Sequence, residues 1–109
     1  EFTLSIPMDN PDPNIIKICG RMSGYNIHKV AEANLTLEEP EINHIPGIKE
    51  YPLTLECKIL YAQKQEIEKI PEDIRKKMYP QDVDSSSTSA NKDAHIAYIG
   101  EIVAAYIIK

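Results

Sequence analysis

The segment AHIAYIGEIVAAYII, residues 94–108, carries no proline and a single glycine. Ile96, Tyr98, Ile102, Ala104 and Tyr106 fall on one side of an extended chain, and Ala97, Ile99, Val103 and Ala105 on the other. A period of two built from β-branched and aromatic residues is strand chemistry. Apolar residues on both sides predict a strand covered on both faces, as in a sheet centre, a barrel wall or a subunit contact. Gly100 stands where so long a strand would bend or bulge.

Working outward, residues 53–61 give a second ladder. Leu53, Leu55, Cys57, Ile59 and Tyr61 share one face, and Thr54, Glu56, Lys58 and Leu60 the other. Cys57 lies on the apolar face and reads as a buried thiol. Phe2, Leu4 and Ile6 alternate with Thr3 and Ser5, a strand that begins at once and predicts that Glu1 is not the natural N-terminus. Pro7 ends it, and residues 9–13 form a turn-rich link. Ile15, Ile16, Ile18 and Cys19 predict a short helix closed by Gly20 as a left-handed cap. A second helix is expected over Ile27 to Ala33, with Asn26 as cap and Asn34 as stop.

Residues 35–52 hold Pro40, Pro46, Gly47 and Pro52 and read as an extended connector. Residues 70–78 read as a short helix, with Pro71 at its start, acids in the first turn and bases in the last. The serine-rich stretch over residues 81–92 reads as a solvated loop. Strands with short helices and no regular strand–helix alternation define a mainly β, α+β architecture with a barrel-like sheet.

Composition narrows the function. The 109 residues are 42% hydrophobic, too apolar for a disordered chain, and no apolar run reaches the roughly 18 residues of a membrane span. Twelve Lys and Arg against 17 Asp and Glu give a net charge of −5, which disfavours nucleic acid or an anionic membrane as partner. Cys19 and Cys57 are too far apart in sequence for a disulfide framework or zinc site, so a reduced, cytoplasmic setting is expected. His28, His44 and His95 lack a second ligand at helical or turn spacing, so no metal site is predicted.

No nucleophile elbow or glycine-rich phosphate loop is present. The candidate residues are those too polar for their surroundings. Ser23-Gly24, before the second helix, reads either as a turn for an anionic or polar ligand edge or as an ordinary turn and cap. Lys29, a base in a first helical turn, calls for a partner or stays solvated. His95 stands at the mouth of the long strand beside Asp93, facing a ligand or plain solvent. Glu101 must be paired, with Lys58 across the sheet as the expected partner, or reach water at an edge or interface, and Glu56 reads as an outward strand position with the same ambiguity.

Four stretches, in order, resemble the flavin reductase-like family of flavoredoxin type. Residues 18–29, ICGRMSGYNIHK, resemble its "icG-x-x-SGRdvdKf" motif. Residues 1–7 are similar to "eFtvsiP", residues 52–58 to "pl-x-lECk", and residues 93–102 to "d-x-H-t-l-y-iGEi". Residues 70–74 with Tyr79-Pro80 are similar to a helical insert of one branch. The resemblance covers nearly the whole chain but only the second part of the family's fold, the FMN-binding split β-barrel. The segment that supplies most FMN phosphate contacts would precede Glu1.

The resemblance implies a single domain over residues 1–109 lacking its N-terminal part. It also implies a homodimer with FMN near the interface, NAD(P)H as hydride donor, and a small-molecule or protein electron acceptor. His95 would lie near the nicotinamide or flavin edge, and Ser23, Gly24, Tyr25 and Lys29 near the flavin. Tyr25, His28 and Val30 replace the motif's arginine, second aspartate and phenylalanine. Two other readings stay open: a non-catalytic flavin-binding or electron-carrier module, and a truncated remnant unable to bind flavin.

Overall fold

A computed structural model describes residues 1–22, 24, 27–80 and 94–109. Five strands and three α-helices follow in the order β1 (Phe2–Ile6), α1 (Pro13–Arg21), α2 (Lys29–Glu32), β2 (Leu37–Glu38), β3 (Gly47–Ile48), β4 (Leu53–Lys64), α3 (Glu72–Met78) and β5 (Ile96–Ile107), with a 3-10 turn at Ile67–Lys69 before α3. The sheet order is β1-β4-β5, and β2 and β3 form a separate two-stranded ladder. β1 runs antiparallel to β4, pairing Phe2 with Cys57, Leu4 with Leu55 and Ile6 with Leu53. The fold is thus α+β with antiparallel sheets. The described strands form an open sheet rather than a closed barrel.

The chain divides into two compact units, residues 1–59 with 100–109, and residues 60–99. In the first, Asp12 caps α1 by accepting from the Asn14 N–H at 2.9 Å, and Pro13 begins the helix. Ile15 is buried, with Ile18 and Cys19 half-buried on the same face. Gly20 lies inside α1 and is no left-handed cap; the helix runs on through Arg21, where Met22 donates back to the Ile18 carbonyl. α2 is shorter than expected. His28 caps it, its Nδ1 accepting from the Ala31 N–H, while Asn26 lies outside the described residues. Asn34 stops it in the left-handed region, at φ 52°.

The centre of this unit is largely polar. Thr54 and Glu56 have no exposed surface, and Asn43 is buried as well, as is the apolar Cys57. Sequence alternation placed Thr54 and Glu56 on the outward face of β4, yet the connector folds over that face and closes it. A Cβ on Gly47 would sit 3.0 Å from Thr54 Cγ2, so glycine lets the connector approach this closely. The Asn43 carboxamide donates to the Phe2 carbonyl and Thr3 Oγ1 and accepts from the Ile45 N–H, fastening connector to β1.

β5 departs from expectation. Ile96, Tyr98, Ile99 and Ile102 are all at least half exposed, whereas Gly100, Val103, Ala104 and Tyr106 of the same strand are half-buried. Gly100 marks no break in the strand. Its bare backbone instead receives the Phe2 ring, whose Cζ would lie 2.6 Å from an added Cβ. Glu101 and Lys58 are both exposed, and no ion pair joins them among the described residues.

In the second unit, α3 begins after Pro71 with Glu72 and Asp73 in its first turn and ends with Arg75, Lys76 and Lys77, the dipole-matched order. The serine-rich stretch lies outside the described residues. No helix is long and apolar enough to cross a membrane, and no cluster of metal-ligating side chains occurs among the described residues.

Candidate functional site

In the unit of residues 60–99, the end of β4 and the entrance to β5 are tied together by two residues. The Gln65 N–H donates to the His95 carbonyl at 2.8 Å, and the His95 N–H donates to Gln65 Oε1 at 3.0 Å. Gln65 Nε2 then donates to the Tyr79 hydroxyl at 3.0 Å, and that oxygen lies 3.3 Å from His95 Nδ1. The direction of this last bond follows the imidazole tautomer. The Tyr79 and His95 rings meet edge to face, with centroids 5.5 Å apart. Tyr79 is buried, so the imidazole is held by a rigid neighbour on one side and open on the other.

The open side faces a recess of about 320 Å³ lined by Gln63, Lys64, Gln65, Glu66, His95, Ile96 and Ala97. That size is at the lower end of small-ligand pockets, roughly 300–1,000 Å³. Glu66 is paired with Lys69 at 2.7 Å. The side chains of Gln63 and Lys64 have no hydrogen-bond or ion-pair partner among the described residues. The recess therefore offers an imidazole, two carboxamides and an ammonium against an apolar floor.

The flavin-side candidates fall in the other unit. Ser23 and Tyr25 lie outside the described residues. Gly24 is an exposed turn residue with open space where a Cβ would stand. Of the two readings open for Lys29, a partner or a solvated side chain, the structure shows the partner: its ammonium donates to the Cys19 carbonyl at 2.7 Å, in the last turn of α1, where a cation is favoured by the helix dipole. Among the described site residues, His95 lines the recess of the second unit.

Sequence reasoning missed Gln65 and Tyr79, whose meeting with His95 depends on long-range folding. It also misread Glu56. The Glu56 carboxylate accepts from the N–H groups of Glu41, Ile42 and Asn43, each at 2.7 Å, and from the Tyr106 hydroxyl at 2.6 Å. Burial works to raise its pKa, but the Tyr106 hydroxyl and the three N–H groups outweigh burial and hold it at about 2. Burial, with the adjacent Glu56 carboxylate, pushes Tyr106 up to about 12. Fully saturated as an acceptor, Glu56 is a structural clasp.

With this geometry in hand, the chain is similar to the crystal structure of nitrilotriacetate monooxygenase component B from Bacillus cereus. The TM-score is 0.60 at 21% identity, covering 96% of this chain and 41% of that one. The chain thus spans less than half the length of that protein, and at this identity the likeness is one of fold. No family model and no curated protein sequence matches the chain.

Proposed function

We propose that this chain belongs to an FMN-binding oxidoreductase of the flavin reductase-like type, which takes hydride from NAD(P)H and passes electrons onward. The observation that supports it most is a coincidence of two independent signals. Motifs similar to that family's occur in order along residues 1–102, and 96% of the same chain shares its fold with a monooxygenase component. A monooxygenase consumes reducing equivalents, so a reductive role suits a component of one.

The recess fits the ring edges such a protein would handle. The free carboxamide of Gln63 and the remaining N–H and lone pair of Gln65 match the alternating acceptors and donors of a flavin edge or a nicotinamide carboxamide. Bound FMN would supply the hydride-accepting ring. The chain's own part is positional: Gln65 and Tyr79 orient the His95 imidazole, and Ile96 and Ala97 present an apolar surface to a flat ring. Ser23, Gly24, Tyr25 and Lys29 are assigned to the flavin, with the Lys29 ammonium shared with the Cys19 carbonyl. The exposed apolar residues of β5 are assigned to closure of a split barrel and to a homodimer contact in the cytoplasm.

One observation favours a carrier that holds flavin without turnover: Tyr25 stands where the resembled motif has arginine, and Lys29 is already engaged. NAD(P)H consumption with excess free FMN separates the two. Sustained turnover supports the reductase, and a single stoichiometric oxidation supports the carrier. A protein that takes up no FMN contradicts both.

A further inference from the structure

We infer that Lys64 makes the His95 recess a site for an anion-bearing ring ligand, its ammonium receiving the phosphate of the nicotinamide half of a nucleotide whose ring lies against His95; this rests on reading the recess as a nucleotide site. Three observations converge. Lys64 lines the recess together with His95. The acid nearest in sequence on the recess wall, Glu66, is spent on Lys69 at 2.7 Å, leaving the Lys64 charge uncompensated among the described residues. The chain as a whole carries −5, so a phosphate approaching it is repelled except where a cation stands unpaired. The volume of about 320 Å³ suits one ring-bearing half rather than a whole dinucleotide. A lysine fits the task as a compact point charge on a long stem, able to follow a phosphate without fixed geometry.

The test uses nicotinamide mononucleotide and its dephosphorylated counterpart, nicotinamide riboside, with binding read by calorimetry and by the His95 ring signals in NMR. Wild type is expected to bind the phosphorylated compound about tenfold more tightly at low salt, the contrast shrinking as salt rises. Lys64→Gln removes the contrast and Lys64→Arg restores it, while binding of the riboside is unchanged in both. Because Lys64 is exposed, these variants keep the fold. If Lys64 only keeps a strand end solvated, the contrast is absent or survives Lys64→Gln, and the inference is overturned. FMN uptake, measured alongside, separates the two readings. FMN uptake with no Lys64-dependent preference overturns this inference alone. A Lys64-dependent preference without FMN uptake supports it and overturns the flavin reading.

Discussion

Replacing Glu56 by glutamine should destabilise the chain by about 2–3 kcal/mol at neutral pH, and the loss should vanish in acid. Oε1 accepts from the Ile42 and Asn43 N–H groups, and Oε2 from the Glu41 N–H and the Tyr106 hydroxyl. A glutamine keeps one oxygen. With that oxygen facing Ile42 and Asn43, its amide nitrogen faces Glu41 and Tyr106. The Tyr106 hydroxyl can turn and accept, but the Glu41 N–H then opposes another donor. A stranded buried donor costs about 1–3 kcal/mol, and the surviving bonds lose their charge assistance. The same contacts lower the carboxyl from 4.5 to about 2, which corresponds to about 3 kcal/mol. Solvent lies close to a core this thin, so the measured value should fall somewhat below that. The sign follows from the direction. The native pKa lies below the unfolded one, so the stabilisation is present above about pH 4.5 and is lost as pH falls through about 2. Urea denaturation of wild type and Glu56→Gln from pH 7 to pH 2 should give curves that converge in acid. A loss under about 0.5 kcal/mol at pH 7, or parallel pH profiles, would refute the reasoning.

Gly100→Ala should destabilise by about 1–3 kcal/mol, since the new methyl meets Phe2 Cζ at 2.6 Å and Cε1 at 2.7 Å; combining it with Phe2→Leu should recover part of the loss in the same urea assay. Lys29→Met removes the cation from the Cys19 carbonyl and should cost about 1 kcal/mol, seen as faster amide exchange across Pro13–Arg21; unchanged exchange would mean that the contact contributes nothing. Tyr79→Phe should alter the tautomer populations of His95, read from its ring nitrogen shifts, while the two Gln65–His95 backbone-anchored bonds persist; an unaltered ratio would show that Tyr79 does not orient the imidazole.

Where a residue's fate depends on its near neighbours, the sequence was readable. β1, β4 and β5 follow from alternation, α3 from its charge order, and the buried state of Cys57 from its place in a ladder. For Lys29 the sequence left open a partner or a solvated side chain, and the choice needed the fold, which sets the Cys19 carbonyl within 2.7 Å of its ammonium. Alternation assigns faces but not what covers them. It set Glu56 outward because no local signal shows the connector returning over β4, and it made β5 covered because apolar residues on both faces do not reveal which chain supplies the cover. Gly20 looked like a cap, but the helix continued because the Ile18 carbonyl is satisfied one turn later, at Met22. At the recess, the place of His95 just before β5 followed from the sequence. Gln65 and Tyr79, 30 and 16 residues away, join it only once β4, α3 and β5 are in place.

The most direct measurement is a titration of the protein with FMN, followed at once by visible absorbance and by NMR of the His95 ring and the Gln65 side chain. Saturable uptake of one flavin per chain, with both residues shifting in step with the absorbance, is the result predicted here. No uptake, or uptake that leaves His95 and Gln65 unmoved, would contradict the assignment of this recess to a redox ring.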